Sequence, residues 1–479
     1  MPVNSTASLY QTFASSDLAD FVNLIRSTVP GVAWPAIPGP EGATALALQF
    51  QLERSQWLAP DELRTLQYRQ LETLLRHAYA TVPYYRSHWG SYYQPDEALT
   101  PERFTRLPLL VRRDLQLNFD ALKSMAIPPA HGQVTITRSS GSTGAPVQVL
   151  KTVLGEIMWR AQMLRDHRWH RRDLTGKLAA TRHRVPEAET EGWGPATDAV
   201  LTMGRSATLP INTDVDTQLD WLERQQPDYL LTYPSNAGEL AKRALARGLR
   251  LPRLREVRTM GELLDPEVRE LCRQAWAVRV TDAYSSEEIG CMALQCPDHE
   301  HYHVQSEGVL LEVLDDGGRQ CGPGEVGRVV VTSLHNFAMP LVRYVLGDYA
   351  EAGPLCGCGR GLPVLARILG RVRNVLVLAD GRRYWPNFGS RSLTQIAPVL
   401  QHQFVQKAYD VIEARLVVAQ PLTLLQEEEL RRHLLSRLPV PFEIRFAYVA
   451  GIPRSAGGKF EDFMSEVAQA APAGAPPSS

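Results

Sequence analysis

The sequence predicts an α/β protein: a large multi-layer lobe followed by a small α+β C-terminal lobe. Three observations carry that expectation. From about residue 130 to 350, short apolar runs alternate with helical stretches, the texture of strands and helices packed in layers. Within that span, residues 308–333 read instead as two long strands around a tight turn. Beyond Gly370-Arg371 a hairpin, a helix and a strand recur, enough for a separate small unit.

The elements follow in order. The start is rich in Pro, Ser and Ala, with Pro30, Pro35, Pro38 and Pro40, and reads as a loosely ordered arm. We expect a partly disordered N-terminal extension over 1–60. Over residues 59–80, Leu63, Leu66, Leu71, Leu74, Leu75 and Ala78 recur at three- and four-residue spacings, an amphipathic helix. Val82-Pro83 ends it, because the residue before a proline avoids the helical region. Val134-Thr135-Ile136, Tyr229-Leu230-Leu231 and Val278-Arg279-Val280 read as buried strands, and 237–248 and 266–277 as helices. Val309 to Leu314, a turn at Asp315-Asp316-Gly317-Gly318, and Gly327 to Val331 make an antiparallel hairpin. A second hairpin pairs Val375 to Leu378 with Arg383-Tyr384-Trp385 across Asp380-Gly381. A helix over 422–438 and a strand at Ile444-Arg445-Phe446 complete a lobe of residues 371–467, leaving 61–370 as the large lobe. Residues 468–479 (Ala, Pro, Ser, Gly) read as a disordered tail, and no internal repeat is evident.

Composition narrows the function. At 479 residues and 53.4 kDa the chain exceeds one small domain. Hydrophobic residues at 44% and charged residues at 22% are ordinary for a soluble protein. Lys+Arg 51 against Asp+Glu 52 argues against a nucleic-acid partner. No run approaches the ~18 apolar residues of a membrane span, and the first residues lack a basic region followed by an apolar core, so no membrane partner and no secretory signal are expected. Six Cys, two of them in Cys356-Gly357-Cys358, suggest metal ligation or free thiols in a reducing compartment. A cytoplasmic, multidomain enzyme is the expectation; a homodimer stays open.

Four segments carry chemistry. Ser139, Ser140, Gly141, Ser142, Thr143 and Gly144 follow a strand; glycines let backbone N–H groups close on an anion, and hydroxyls add donors. No Gly-Lys-Ser/Thr follows, so this is not a Walker A loop. In Asp282-Ala283-Tyr284-Ser285-Ser286-Glu287-Glu288 an aromatic ring can cover a nucleobase, and a carboxylate can hold magnesium against phosphate. Asp348, after Gly347 at a strand end, can accept bonds from two vicinal hydroxyls. Lys459 follows Gly457-Gly458; only six of the 51 basic residues are lysine, which suggests a need for a compact, mobile ammonium there. Each has a plainer reading alone: a Ser/Gly surface loop, an acidic helix start, a turn aspartate, a solvated lysine.

Taken together, these four segments resemble the adenylate-forming (acyl-CoA synthetase) superfamily, and in detail its phenylacetate-CoA ligase-like branch. Further branch-like features are Val82-Pro83-Tyr84-Tyr85-Arg86, Leu107-Pro108-Leu109, Tyr233-Pro234-Ser235, and Cys358-Gly359-Arg360 ahead of Gly370-Arg371. The resemblance runs from about Leu63 to Val467 and implies two lobes joined by a hinge. It implies that Ser139 to Gly144 grip the β- and γ-phosphates of ATP, that Tyr284, next to Ala283, lies by the adenine, and that Glu288 takes magnesium. Met260-Gly261-Glu262 resembles the preceding strand end, where Gly261 and Glu262 would pass close to the adenine. Asp348 would hold the ribose, Arg371 the nucleotide at the lobe junction, and Lys459 would bridge carboxylate, α-phosphate and ribose during adenylation. The chain departs from the pattern at four positions. Ala145 stands where the family often has Lys, with Lys151 a candidate substitute; Ser285 replaces Gly; Glu287 replaces a phosphate-facing Thr; and Arg373 replaces a hinge Asp.

The implied reaction is ATP-dependent activation of a carboxylic acid, aryl or aryl-alkyl by resemblance, to an acyl-adenylate, then transfer to CoA. Rival readings are transfer to a separate carrier protein or an amine, adenylation of a hydroxyl, and a nucleotide-binding module without turnover. Finally, Cys356 and Cys358 lie some 60 residues after Cys296-Pro297-Asp298-His299-Glu300-His301-Tyr302-His303. Cys296, Cys356, Cys358 and one imidazole would give a closed, structural zinc site. His303 is our choice and His299 the alternative; Cys291 is a weaker ligand. His167-Arg168-Trp169-His170-Arg171-Arg172 reads as a solvated helix face, and Met203-Gly204 and Tyr233 as acyl-pocket or core residues.

Overall fold

The computed structural model describes residues 21, 23–139, 146–371, 374–386, 388–455 and 459–467. A twelve-stranded sheet spans the large lobe. Five strands are parallel: Arg205–Pro210, Leu178–Arg182, Tyr229–Thr232, Glu256–Met260 and Arg279–Ser286 lie side by side, with Ala188–Glu191 antiparallel at the edge beyond Arg205–Pro210. Most of their residues are buried, polar ones such as Thr181, Glu256 and Asp282 included, as in strands covered on both faces. Helices Val215–Gln225, Pro234–Arg247 and Pro266–Trp276 bury Leu219, Leu222, Leu240, Ala241 and Leu271 against them. The other half is antiparallel, running from Gly290–Gln295 through Tyr302–Val304, Val364–Arg371 and Tyr344–Gly353 to the hairpin Val326–Ser333 and Val309–Leu314. Arg279–Ser286 is the seam, with a parallel neighbour on one side and an antiparallel one on the other.

Helix Pro60–Thr81 forms where the leucine spacing predicts it; Leu71, Leu74, Leu75 and Ala78 are fully buried. Val82 is extended (φ −107°), and the next helix, Pro83–Trp89, starts at once with proline at its first position. The small lobe has its own apolar cluster, centred on Phe404, Ile412, Leu430, Ile444 and Phe463. Its four-stranded sheet is ordered Glu443–Tyr448, Val411–Val418, Val399–Ala408, Phe463–Ser465, with helix Leu424–Ser436 packed through Leu430 and Leu434.

The described part of the extension before residue 60 includes a docked helix, Pro40–Ser55, whose Ala45, Gln49 and Leu52 are buried. Its proline lies at the helix start, where the missing N–H costs nothing. The 167–172 segment, against expectation, is no solvated face. His167, His170 and Arg172 are buried. Arg172 pairs with Asp166 at 2.6 Å and Glu256 at 2.7 Å, and Arg258 joins Asp166 at 2.8 Å. Charges taken out of water survive only when paired in this way. Residues 140–145, 372–373 and 468–479 lie outside the described residues, and with them Ser140 to Gly144, Ala145, Arg373 and the tail.

Candidate active site at the sheet seam

At the carboxyl ends of Glu256–Met260 and Arg279–Ser286 lies a cleft of about 540 Å³ between the lobes. In open α/β sheets, ligand crevices form at such strand ends. Ser139, Gly261, Glu262, Ala283, Tyr284, Glu288, Asp348, Arg371 and Lys459 all line it. Backbone register explains much of the convergence. Met260 pairs with Ala283, and Asp348 with Arg371, on adjacent strands.

Tyr284 Oη donates to Asp348 Oδ2 at 2.8 Å, and Arg371 Nε lies 3.6 Å from Asp348 Oδ1. Burial, with the Asp348 charge beside it, pushes the Tyr284 phenol well above its ordinary range, so it stays a donor. Ser139, the described end of the hydroxyl-rich loop, accepts from Val147 N–H at 2.9 Å through its Oγ. Glu288 is buried and faces Arg112 Nη1 at 3.5 Å; Arg112 Nη2 also donates to Ser139 Oγ at 3.3 Å. Arg112 was not foreseen. It opens helix Arg112–Leu117, three residues after the Leu107-Pro108-Leu109 feature, and in sequence an Arg-Arg pair looks like any solvated turn.

Lys459 reaches the cleft from the loop between Glu443–Tyr448 and Phe463–Ser465. Gly261 has φ +80°, and a Cβ there would lie 3.6 Å from Lys459 Cε and 3.7 Å from its Nζ. Burial, with Arg371 beside it, lowers the Lys459 pKa, while Asp348, Glu262 and Glu287 oppose that shift. Glu287 is not isolated: its charge and that of Glu288 act on Lys151, whose ammonium burial disfavours. Glu262, expected close to the adenine, lines the cleft and also has protein partners. Its Oε2 accepts from Ser235 N–H at 3.0 Å and its Oε1 from Phe460 N–H at 2.7 Å.

Away from the cleft, Cys296, His303, Cys356 and Cys358 bring their donor atoms together, and Cys296, His299, His301 and Cys356 form an overlapping set. Cys296 Sγ and Cys356 Sγ are 3.9 Å apart; Cys358 Sγ and His303 Nε2 are 3.5 Å apart. A tetrahedron with Zn–S near 2.3 Å has edges of about 3.7 Å, so the donor set fits zinc in type and spacing. Cys291 is instead packed among Leu63, Trp169, Leu294 and Leu362, Met203 packs in the core with Phe21 and Ile157, and the ring of buried Tyr233 lies 3.5 Å from where a Cβ at Gly261 would stand.

The fold has close counterparts. A 2-hydroxyisobutyryl-CoA ligase in its postadenylation state, with 2-HIB-AMP, superposes with a TM-score of 0.70 at 20% identity, covering 87% of this chain and 93% of that one. The same ligase in its thioesterification state, with 2-HIB-AMP and CoA, gives 0.56 at equal coverage. The chain therefore has the fold of the adenylate-forming CoA ligases. The phenylacetate-coenzyme A ligase of Thermus thermophilus is 26% identical over 454 residues, 84% of this chain and 96% of that protein. This chain is thus similar along most of its length to the phenylacetate-CoA ligases, on the fold that the 2-hydroxyisobutyryl-CoA ligase shares. No family profile matches it.

Proposed function

We propose that this chain is an AMP-forming acid–CoA ligase: it joins a carboxylic acid to AMP with release of pyrophosphate, then passes the acyl group to CoA. An aryl or aryl-alkyl acid is the proposed substrate. One observation carries the reading: Lys459, from the small lobe, stands in the same cleft as Tyr284, Asp348 and Glu288 of the large lobe and Arg371 at the junction.

The chemistry follows from the charges. A carboxylate is a poor electrophile until it is made into a mixed anhydride. Its attack on the α-phosphorus gathers negative charge, so positioning and cations supply the rate. The Tyr284–Asp348 pair leaves the second Asp348 oxygen, beside Arg371, as the acceptor for ribose hydroxyls. Lys459 brings an ammonium to the reacting oxygens, and Arg112 supplies charge beside Ser139 where Ala145 supplies none. Magnesium, held at Glu288, would offset phosphate charge. The small lobe would then swing about the Arg371–Asn374 connection and withdraw Lys459, so that a thiol can reach the acyl carbon. Zinc in the Cys296, His303, Cys356, Cys358 set would be structural; His303 is the better fourth ligand because it is fully buried while His299 is exposed.

The test is an acid-dependent pyrophosphate-exchange screen, repeated with CoA and read by mass for acyl-CoA. Exchange with aryl acids and CoA-dependent thioester formation are the expected results; ATP binding without exchange on any acid would overturn the reading.

A further inference from the structure

We infer that Glu262 is a latch: a positioning residue that fastens the Lys459 loop to the large lobe and so favours the adenylation half-reaction over transfer. The inference rests on the ligase reading and deepens it, by naming what holds the ammonium in place.

Glu262 follows Gly261 at the end of Glu256–Met260, and its carboxylate is almost wholly buried at the lobe boundary. One oxygen accepts from the backbone N–H of Phe460, the residue directly after Lys459, at 2.7 Å. The other accepts from Ser235 N–H at 3.0 Å, in the first turn of helix Pro234–Arg247. Arg454, also from the small lobe, closes the arrangement: its Nη1 donates to Ser235 Oγ at 2.8 Å and lies 3.7 Å from Glu262 Oε1. One large-lobe group and two small-lobe groups thus meet on one carboxylate. Within the loop, Ser455 N–H donates to the Lys459 carbonyl at 2.7 Å, and Lys459 N–H to Ser455 Oγ at 3.2 Å. The lysine therefore sits on a segment braced at Ser455 and pinned at Phe460.

The bonds divide unequally between the two states the reaction needs. The Ser235 bond lies wholly within the large lobe and survives any movement of the small one. The Phe460 and Arg454 contacts exist only while Lys459 is in the cleft. A buried charge accepting from a backbone N–H forms a charge-assisted bond, stronger than a neutral one. Losing it should shift the docked population roughly ten- to a hundredfold. Glu262→Gln keeps the shape but removes the charge, and its single amide oxygen can accept from only one of the Ser235 and Phe460 N–H groups, without charge assistance.

The experiment separates the half-reactions. In Glu262→Gln, acid-dependent pyrophosphate exchange should fall roughly ten- to a hundredfold, while transfer from a supplied acyl-adenylate to CoA should change less than about threefold. Amide hydrogen exchange gives a readout independent of turnover: Phe460 and its neighbours should exchange faster in the variant, with the rest of the small lobe unchanged. Arg454→Gln, altered on the small-lobe side, should reproduce both effects more weakly and stands in if Glu262→Gln does not fold. An equal loss in both half-reactions, or unaltered exchange at Phe460, would overturn the latch. Wild-type protein inert toward every acid would instead overturn the ligase reading, leaving the hydrogen-exchange arm to decide the latch alone.

Discussion

The seam cleft and the cysteine–histidine cluster both gather polar side chains from segments far apart in the chain, and they do it in opposite ways. In the cluster every donor faces another donor: Cys296, Cys356, Cys358 and His303 close on one point. In the cleft the groups face space. Tyr284, Asp348 and Arg371 are tied to one another on one wall, Glu288 to Arg112 on another, and Lys459 enters from the second lobe. A closed set of ligands can hold structure together but offers no room for a reactant; an open one, shared between two bodies, can admit a substrate and change with movement.

The comparison can be broken in four places. The largest effect is expected at Lys459. Lys459→Ala should lower acid-dependent pyrophosphate exchange on the order of a thousandfold while the circular dichroism spectrum is kept. An unchanged exchange rate would take the ammonium out of the chemistry. Next, Arg112→Ala should raise the KM for ATP roughly tenfold, because a charged bond near Ser139 is lost; a KM within twofold of wild type would confine Arg112 to holding Glu288.

The cluster should behave in reverse. Cys356→Ser should cut bound zinc, measured by elemental analysis, from about one per chain to a small fraction. It should also lower Tm by about 5 °C or more and leave the KM for ATP within about threefold. Wild-type protein purified with under half a zinc per chain would leave the cluster a set of packed thiols.

The smallest effect concerns the floor of the cleft. Asp282 is buried, accepts from Thr259 Oγ1 at 2.7 Å and Tyr302 Oη at 2.8 Å, and burial pushes its carboxyl up from 3.8 to about 6. The folded state therefore holds this proton more tightly than the unfolded one. The cost of ionising it is absent below about pH 4, grows with pH, and is complete above about pH 6. Asp282→Asn removes that cost, so its Tm relative to wild type should improve between pH 4 and pH 7. A difference independent of pH would show that folding leaves the Asp282 carboxyl with its ordinary affinity for the proton.

What the sequence disclosed depended on whether a residue's role is local. The helix at 60–81 was readable because its leucines repeat on one face, and the hairpin at 309–333 because its turn residues demand it. The cleft was readable through resemblance: Tyr284, Asp348, Arg371 and Lys459 were all placed before their convergence could be seen. Arg112 was not, because its partners Ser139 and Glu288 lie 27 and 176 positions away. The buried network of Asp166, Arg172 and Glu256 was misread for the same reason. A run of charged residues looks solvated unless the opposite charges, here 84 positions from Arg172 to Glu256, are known to lie against it. Glu262 lines the cleft, as expected of it, but its bond to Phe460 was not foreseen, since nothing local says that the small lobe's backbone will arrive at its carboxylate.

Gly261 has a consequence of its own. With φ at +80° it occupies a backbone region that most side chains avoid, at a cost of about 1–2 kcal/mol. A methyl group there would just touch Tyr233 on one side and the arm of Lys459 on the other. Anything bulkier would claim the very volume through which that arm passes. One vacant position thus works as a keyhole. Filling it with valine would make a wedge, useful to an experimenter who wants the protein propped in whichever posture keeps the lysine out.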